Sequence, residues 1–161
     1  MRLPLTMLLV TLALTAPFAV LAQVLPNPYG PSLSTDHARK AAAAAIAEGR
    51  KNGWTVAAAV VDTGGSLVYF ERIDGTQNGS SHVAVEKARS SVAFKRPTKA
   101  FEDAIVGGRT AVLGLPGAVP LEGGLPILAD GKIVGAIGVS GGTSQQDGVC
   151  AKAGVDALEK K

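Results

Sequence analysis

His37 and His82 are the two histidines of the chain, and an imidazole is a common ligand of metals and of haem iron. His82 and Glu86 are four residues apart on a predicted helix, so they share one face and could supply two metal ligands. Two ligands do not complete a metal site, and an ordinary surface pair near the helix start is the alternative. His37 falls in the first turn of an earlier predicted helix, where it is either a ligand or a solvated side chain.

A bound haem would need an axial ligand, and few side chains of this sequence can provide one. The candidates are His37, His82, Tyr29, Tyr69 and Cys150. Oxygen ligands such as threonine are weaker candidates. Met1 and Met7 are the only methionines and fall in a predicted leader, so a thioether ligand is excluded. Cys150 is the only cysteine, which excludes an intrachain disulfide, and we expect it to be buried on a helix face.

Four basic residues follow the second predicted helix closely in sequence. They are Lys95, Arg96, Lys99 and Arg109. Two or three of them could pair with the propionates of a haem or with another small anion. A solvated basic patch on the surface is the alternative interpretation.

Two glycine patterns resemble enzyme motifs, but their context argues against both. Residues 138–142 match the GxSxG pattern of serine hydrolases, whose catalytic histidine follows the serine in the chain. Both histidines here precede Ser140. Gly135, Gly138 and Gly141 lie on or beside a predicted strand rather than at the start of a helix, so a dinucleotide-binding loop is not favoured. We expect these glycines to let another backbone or a ligand approach the strand closely.

The first 22 residues have the pattern of an export signal. Arg2 precedes an apolar stretch, and Ala22 ends a run of small or short side chains that suits cleavage. An uncleaved membrane anchor is the alternative, which Pro17 disfavours. We therefore predict a periplasmic or secreted protein that has no membrane segment after cleavage. Residues 23–32 contain three prolines and predict an extended arm, and residues 33–161 form the predicted domain.

The composition of the 161 residues suits one domain with a mainly aliphatic core, since aromatic residues make up only 4%. The formal net charge of +3 is small and scattered, so a nucleic acid is not an expected partner.

Periodicity and turn signals predict helices and strands in the order α-β-β-α-α-β-β-α. This order indicates an α+β fold in which helices cover an antiparallel sheet. The first helix begins after Ser34 or Thr35, the second after Ser80 or Ser81, and the third after Thr98. The last helix is predicted to open with a capping box from Ser144 to Asp147. The predicted ranges are 35–52, 55–62, 66–73, 80–94, 98–106, 125–129, 132–140 and 144–158.

Several short segments, taken in order, resemble the HbpS/GlcG-like haem-binding family, which includes the C-terminal domain of PduO. Each segment is weak evidence alone, but the ordered set covers nearly all of residues 33–158. One departure lies at residues 87–91, where the family more often has a Thr-Ala pair. The matching segments are residues 59–67, 72–75, 86–88, 96–98, 123–127, 130–131, 134–141, 146–147 and 151–154.

The resemblance implies a profilin-like fold, an antiparallel sheet flanked by helices, often assembled into larger homo-oligomers. It also implies haem binding for some members, with roles in haem sensing, storage or oxidative stress. The haem ligand differs between members, so we take His82 first and His37 second as iron ligands. The other candidate cofactor-binding residues are Lys95, Arg96, Thr98 and Glu86.

Three functions therefore compete. The first is an exported, non-catalytic haem-binding protein. The second is a pocket for a small organic acid, in a binding protein or an enzyme, that uses the glycine-rich loop 117–124, Arg96 and the start of the second helix. The third is a structural subunit of an oligomer. Haem absorbance separates the first from the other two.

Overall fold

The computed structural model describes residues 26–159, so the predicted leader and its cleavage point after Ala22 lie outside the described residues. Within them, four α-helices, one 3-10 helix and four strands follow the predicted order. Their bounds are α1 Thr35–Lys51, β1 Ala57–Val61, β2 Leu67–Arg72, α2 Asn78–Phe94, α3 Lys99–Val106, the 3-10 helix Thr110–Gly114, β3 Gly124–Ala129, β4 Lys132–Ser140 and α4 Ser144–Glu159. None of these helices is both long enough and apolar enough to cross a membrane.

The four strands form one antiparallel sheet in the order β2-β1-β4-β3. Two hairpins therefore lie side by side, joined through β1 and β4. The turn between β3 and β4 has positive φ at both Asp130 and Gly131, 48° and 71°. These angles match the twist of a tight hairpin, as the Asp-Gly pair predicts.

Helices cover both faces of the sheet. Helices α1 and α4 pack on one face, against a cluster that includes Ala58, Val60 and Ile137. Helix α2 packs on the other face, against Ala57 and the alternate residues of β1. Every residue of β1 is buried because both of its faces are covered. The α+β fold with an antiparallel sheet flanked by helices is thus confirmed.

The close approach of helix α2 to the sheet depends on Gly138. A Cβ atom at this position would overlap the carbonyl oxygen of Ala84 and lie 2.5 Å from the amide nitrogen of Ala88. The predicted role of the strand glycines, to admit another backbone, is confirmed at this position.

The helix starts differ in detail from the predicted caps. Ser34 caps α1, because its hydroxyl accepts a hydrogen bond from the amide of His37 at 3.3 Å. Helix α2 begins at Asn78, so the prediction that Ser80 or Ser81 precedes it was wrong. Both hydroxyls lie within the first turns and have no hydrogen-bond partner.

The start of α4 is capped one residue earlier than predicted. Thr143 and Gln146 form the capping box: the Gln146 amide donates to the Thr143 hydroxyl at 3.3 Å, and the Thr143 amide donates to the Gln146 side-chain oxygen at 3.0 Å. The predicted box of Ser144 and Asp147 was therefore wrong. The Asp147 carboxylate turns inward instead, into the interior of the protein.

The arm before α1 is extended and lies against the start of β4. Tyr29 forms an isolated parallel bridge with Ile133, and the Gly30 amide donates to the Ile133 carbonyl at 2.8 Å. Strand β1 pairs with β4 only from Ala136 onward, so the arm continues the place of β1 along β4. This contact brings the arm to the edge of a large pocket.

Candidate functional site

A pocket of about 940 Å³ opens where α2 ends and α3 begins, beside β3, α4 and the N-terminal arm. Its volume is in the range of small-molecule and cofactor sites. Pro26 and Asn27 bring the arm to its wall, and Leu125 brings β3. Much of the wall is apolar. The other large apolar contributors are Pro97, Pro126, Leu128, Ile133 and Val155.

Four cations line this pocket, but two of them already have carboxylate partners. Lys99 pairs with Asp103 and Lys152 pairs with Asp156, both at 2.7 Å. The hydrogen bond from Asp103 raises the pKa of Lys99, so its ammonium stays charged. The other two cations, Lys95 and Arg96, form no ion pair with any of residues 26–159.

Aromatic rings hold these two unpaired cations. The ammonium nitrogen of Lys95 lies 4.2 Å from the centroid of the Tyr29 ring. The guanidinium carbon of Arg96 lies 5.6 Å from the centroid of the Phe101 ring. Such contacts attract a cation without neutralising it, so each charge stays available to an anion in the pocket.

Lys95 has an unusual backbone conformation. It ends α2 in the left-handed region, with φ 54° and ψ 38°. This conformation costs a residue with a Cβ atom about 1–2 kcal/mol. Strained positions of this kind cluster at functional sites, and here the turn brings Lys95 to the pocket.

Thr98 lies behind the pocket wall rather than on it. Its side chain is fully buried, donates to the Leu121 carbonyl at 2.6 Å and accepts from the Gly124 amide at 2.9 Å. The hydroxyl therefore fixes the loop that forms the inner wall, and it does not cap α3.

A buried ion pair supports the same wall from inside. Lys87 donates to the Asp147 carboxylate at 2.7 Å and to the Val139 carbonyl at 3.0 Å, and the two side chains are only 2% and 4% exposed. Burial raises the pKa of Asp147, while the hydrogen bond and charge of Lys87 act in the opposite direction. Pocket residue Gly123 packs against this pair: a Cβ there would lie 2.9 Å from the Lys87 nitrogen.

The histidines lie apart from the pocket and from each other. His82 is exposed on α2, about 20 Å from Lys95 along the helix at 1.5 Å per residue. Glu86 lies one turn after His82 and pairs with Arg89 at 2.8 Å. His37 is exposed on α1, on the opposite face of the sheet. Neither histidine lines the pocket, and residues 26–159 hold no cluster of three or more metal-ligating His, Cys, Asp or Glu side chains.

The other candidate iron ligands also lie outside the lining of the pocket. The Tyr29 hydroxyl donates to the Val92 carbonyl at 2.8 Å, and the Tyr69 ring lies under Arg39. Cys150 is buried as expected, and burial together with the nearby Asp147 carboxylate raises its pKa to about 11. Arg109 does not line the pocket either.

Sequence reasoning missed Lys87 and Asp147, although one signal was present. Lys87 is spaced three and four residues from Ala84 and Ser91, which are buried on the sheet side of α2. This spacing places the lysine on the buried face, where it needs a partner. Its partner is 60 residues away in the chain, which no local pattern could identify.

The fold and the pocket together define a class of small α+β proteins with an apolar, cation-lined pocket at one sheet edge. The comparison with known families is specific. The family model described as haem degrading protein HbpS-like matches residues 33–156. This chain belongs to that HbpS-like family.

Individual relatives agree with this assignment. Protein GlcG of Escherichia coli strain K12 is 41% identical over 108 residues, which cover 67% of this chain and 81% of GlcG. The crystal structure of HbpS has a TM-score of 0.74 at 33% identity and covers 80% of this chain and 92% of that one. A crystal structure of a complex of PduOC with haem has a TM-score of 0.71 at 26% identity and covers 78% of this chain and 94% of that one.

Proposed function

We propose that this protein binds haem in the pocket between α2, β3, α4 and the arm. One observation carries the proposal: two unpaired cations, Lys95 and Arg96, stand beside an apolar wall in a pocket of about 940 Å³. A haem has the matching chemistry, an apolar ring that carries two carboxylates. The complex of the related PduOC with haem and the family description support the same ligand.

In this proposal each residue of the pocket has a defined task. Lys95 and Arg96 bind the propionates by charge-assisted hydrogen bonds. Leu125 and its apolar neighbours exclude water from the ring. Thr98 and the Lys87–Asp147 pair hold the inner wall in place. The bound haem would supply the iron centre.

We propose His82 as the first candidate for the iron ligand and His37 as the second. His82 does not reach the pocket of its own chain, because it lies about 20 Å along α2 from Lys95. A His82 ligand would therefore come from a neighbouring copy, in keeping with the proposed homo-oligomer.

Export is part of the proposal and is supported by the pattern of residues 1–22. We propose that the protein holds haem outside the cytoplasm, for storage or sensing, without catalysing a reaction of it. Mass spectrometry of the exported protein should then find Gln23 at the N-terminus. A retained Met1 would contradict cleavage.

A haem titration of residues 23–161, followed by absorbance, tests the proposal. We expect a Soret band that saturates at a fixed ratio of haem to protein and does not bleach on standing. His82→Ala should shift or abolish the band, while an unchanged spectrum would remove His82 from the site. A signal that never saturates would contradict haem binding. Thermal stabilisation by small carboxylates would then favour an organic acid as the ligand.

A further inference from the structure

The N-terminal arm belongs to the pocket, although it precedes the segment that the family model matches, residues 33–156. Two backbone hydrogen bonds, both 2.8 Å long, fix the arm to Ile133: the Gly30 amide donates to its carbonyl, and its amide donates to the Pro28 carbonyl. Pro26 and Asn27 line the pocket just before this anchor. A local feature of this chain therefore forms part of the wall.

Tyr29 lies at the centre of the anchor and makes two directed contacts. Its hydroxyl donates to the Val92 carbonyl at 2.8 Å, in the last turn of α2. Its ring lies 4.2 Å from the Lys95 ammonium. Because the ring is fixed by the backbone on one side and by the hydroxyl on the other, it limits where the ammonium can go.

Lys95 gains more from this restraint than the other pocket lysines. Lys99 and Lys152 are each held by a carboxylate four residues away on the same helix. Lys95 has no ion pair with the described part of the chain, so only the Tyr29 ring directs its charge. A side chain already held in its binding position loses less rotational freedom when a ligand arrives.

We propose that Tyr29 is a positioning residue that holds Lys95 at the pocket mouth and so selects ligands with a free carboxylate. The proposal rests on the proposed function, because it assigns a selectivity to the same pocket. Tyr29 acts through Lys95 and makes no contact with iron.

The test compares haem with haem dimethyl ester, in which both carboxylates are blocked. Tyr29→Leu removes the ring and the hydroxyl, and we expect it to raise Kd for haem about three-fold, in line with one lost cation–π contact. Binding of the ester should not change. Tyr29→Phe keeps the ring and should stay closer to the wild type.

Tyr69→Leu is the matched control. Its ring also lies under a cation, Arg39 at 5.8 Å, but neither residue lines the pocket. A double-mutant cycle gives the second readout: once Lys95→Met is present, Tyr29→Leu should have no further effect on haem binding. A purely structural role for Tyr29 would instead weaken haem and ester binding equally, with and without Lys95.

The outcomes separate the two proposals. Saturable haem binding that Tyr29→Leu and Tyr69→Leu leave equal would overturn the role of Tyr29 and leave the haem pocket standing. Equal losses for haem and ester would also overturn it. Failure of the wild-type protein to bind either compound would overturn the proposed function and this selectivity with it.

Discussion

Lys87 and Asp147 form a buried pair in which each charge depends on the other. Both side chains are almost completely enclosed, and the Asp147 carboxylate also accepts the Gly142 amide at 3.0 Å. Replacing both partners of such a pair can be nearly neutral. Removing one leaves an uncompensated charge in the interior, which is strongly destabilising.

We therefore predict that Lys87→Met lowers the free energy of unfolding by about 3–5 kcal/mol at neutral pH. Urea denaturation followed by circular dichroism measures the change. Lys152→Met is the matched control, since that lysine pairs with Asp156 on the exposed side of α4. It should change stability by less than about 1 kcal/mol. Equal effects of the two substitutions would contradict the buried charge pair.

The pH dependence of the Lys87→Met variant follows from Asp147. Burial already raises the pKa of this carboxyl, and loss of Lys87 removes the opposing hydrogen bond and charge. The folded variant therefore binds a proton at a higher pH than the unfolded chain, so its stability rises as the pH falls towards the unfolded value near 3.8. We expect the deficit against the wild type to shrink between pH 7 and pH 5. A constant deficit would contradict this assignment.

At the scale of elements, helix α2 and strand β4 meet at Gly138 without an intervening side chain. The contact brings the helix backbone directly onto the sheet, so α2 can cover β1, β4 and β3 together. Since the neighbouring atoms at Gly138 belong to the backbone, they have little freedom to move aside.

Gly138→Ala should destabilise the protein by about 3 kcal/mol, the upper end of the range for overpacking. Gly79→Ala, on α2 itself, is the opposing control, because nothing lies within 4 Å of a Cβ there. It should raise stability by about 0.5 kcal/mol through better helix propensity. Thermal melting of both variants measures the difference. A neutral Gly138→Ala would show that the helix does not lie so close to the strand.

Local sequence signals predicted these elements well because each depends on nearby residues. The Asp-Gly turn and the proline after α2 act within a few positions of themselves. The pairing of β1 with β4 and the partner of Lys87 join distant segments, so neither could be derived from a local pattern. Lys95, Arg96 and Lys99 were found together since they are neighbours in sequence as well as at the pocket. His82, in contrast, stands on the same helix but too far along it.

At the scale of the whole molecule, the pocket lies at the β3 edge, where the two helical layers approach each other. Helices α2 and α3 supply one side, and α4 supplies the other. Its selectivity for an anion depends on two charges that no carboxylate of the described chain neutralises. Charge, rather than added apolar contact, should therefore distinguish this pocket from a general hydrophobic groove.

Lys95→Met combined with Arg96→Met should weaken haem binding at least about tenfold and reduce its dependence on salt. Stability should stay nearly unchanged, because neither residue has an ion pair to lose. The matched control is Arg50→Met with Lys51→Met, which removes the same net charge at the end of α1, away from this pocket. Fluorescence quenching at two ionic strengths measures both. Equal losses in the two double variants would indicate a general charge effect.

The bridge between Tyr29 and Ile133 also sets an order of events during synthesis. The arm leaves the ribosome early, but its docking strand is made about 100 residues later, roughly 5–20 s at typical translation rates. The rest of the sheet edge must therefore be complete before the arm can close against it. The pocket wall that the arm provides is then one of the last parts of the molecule to form.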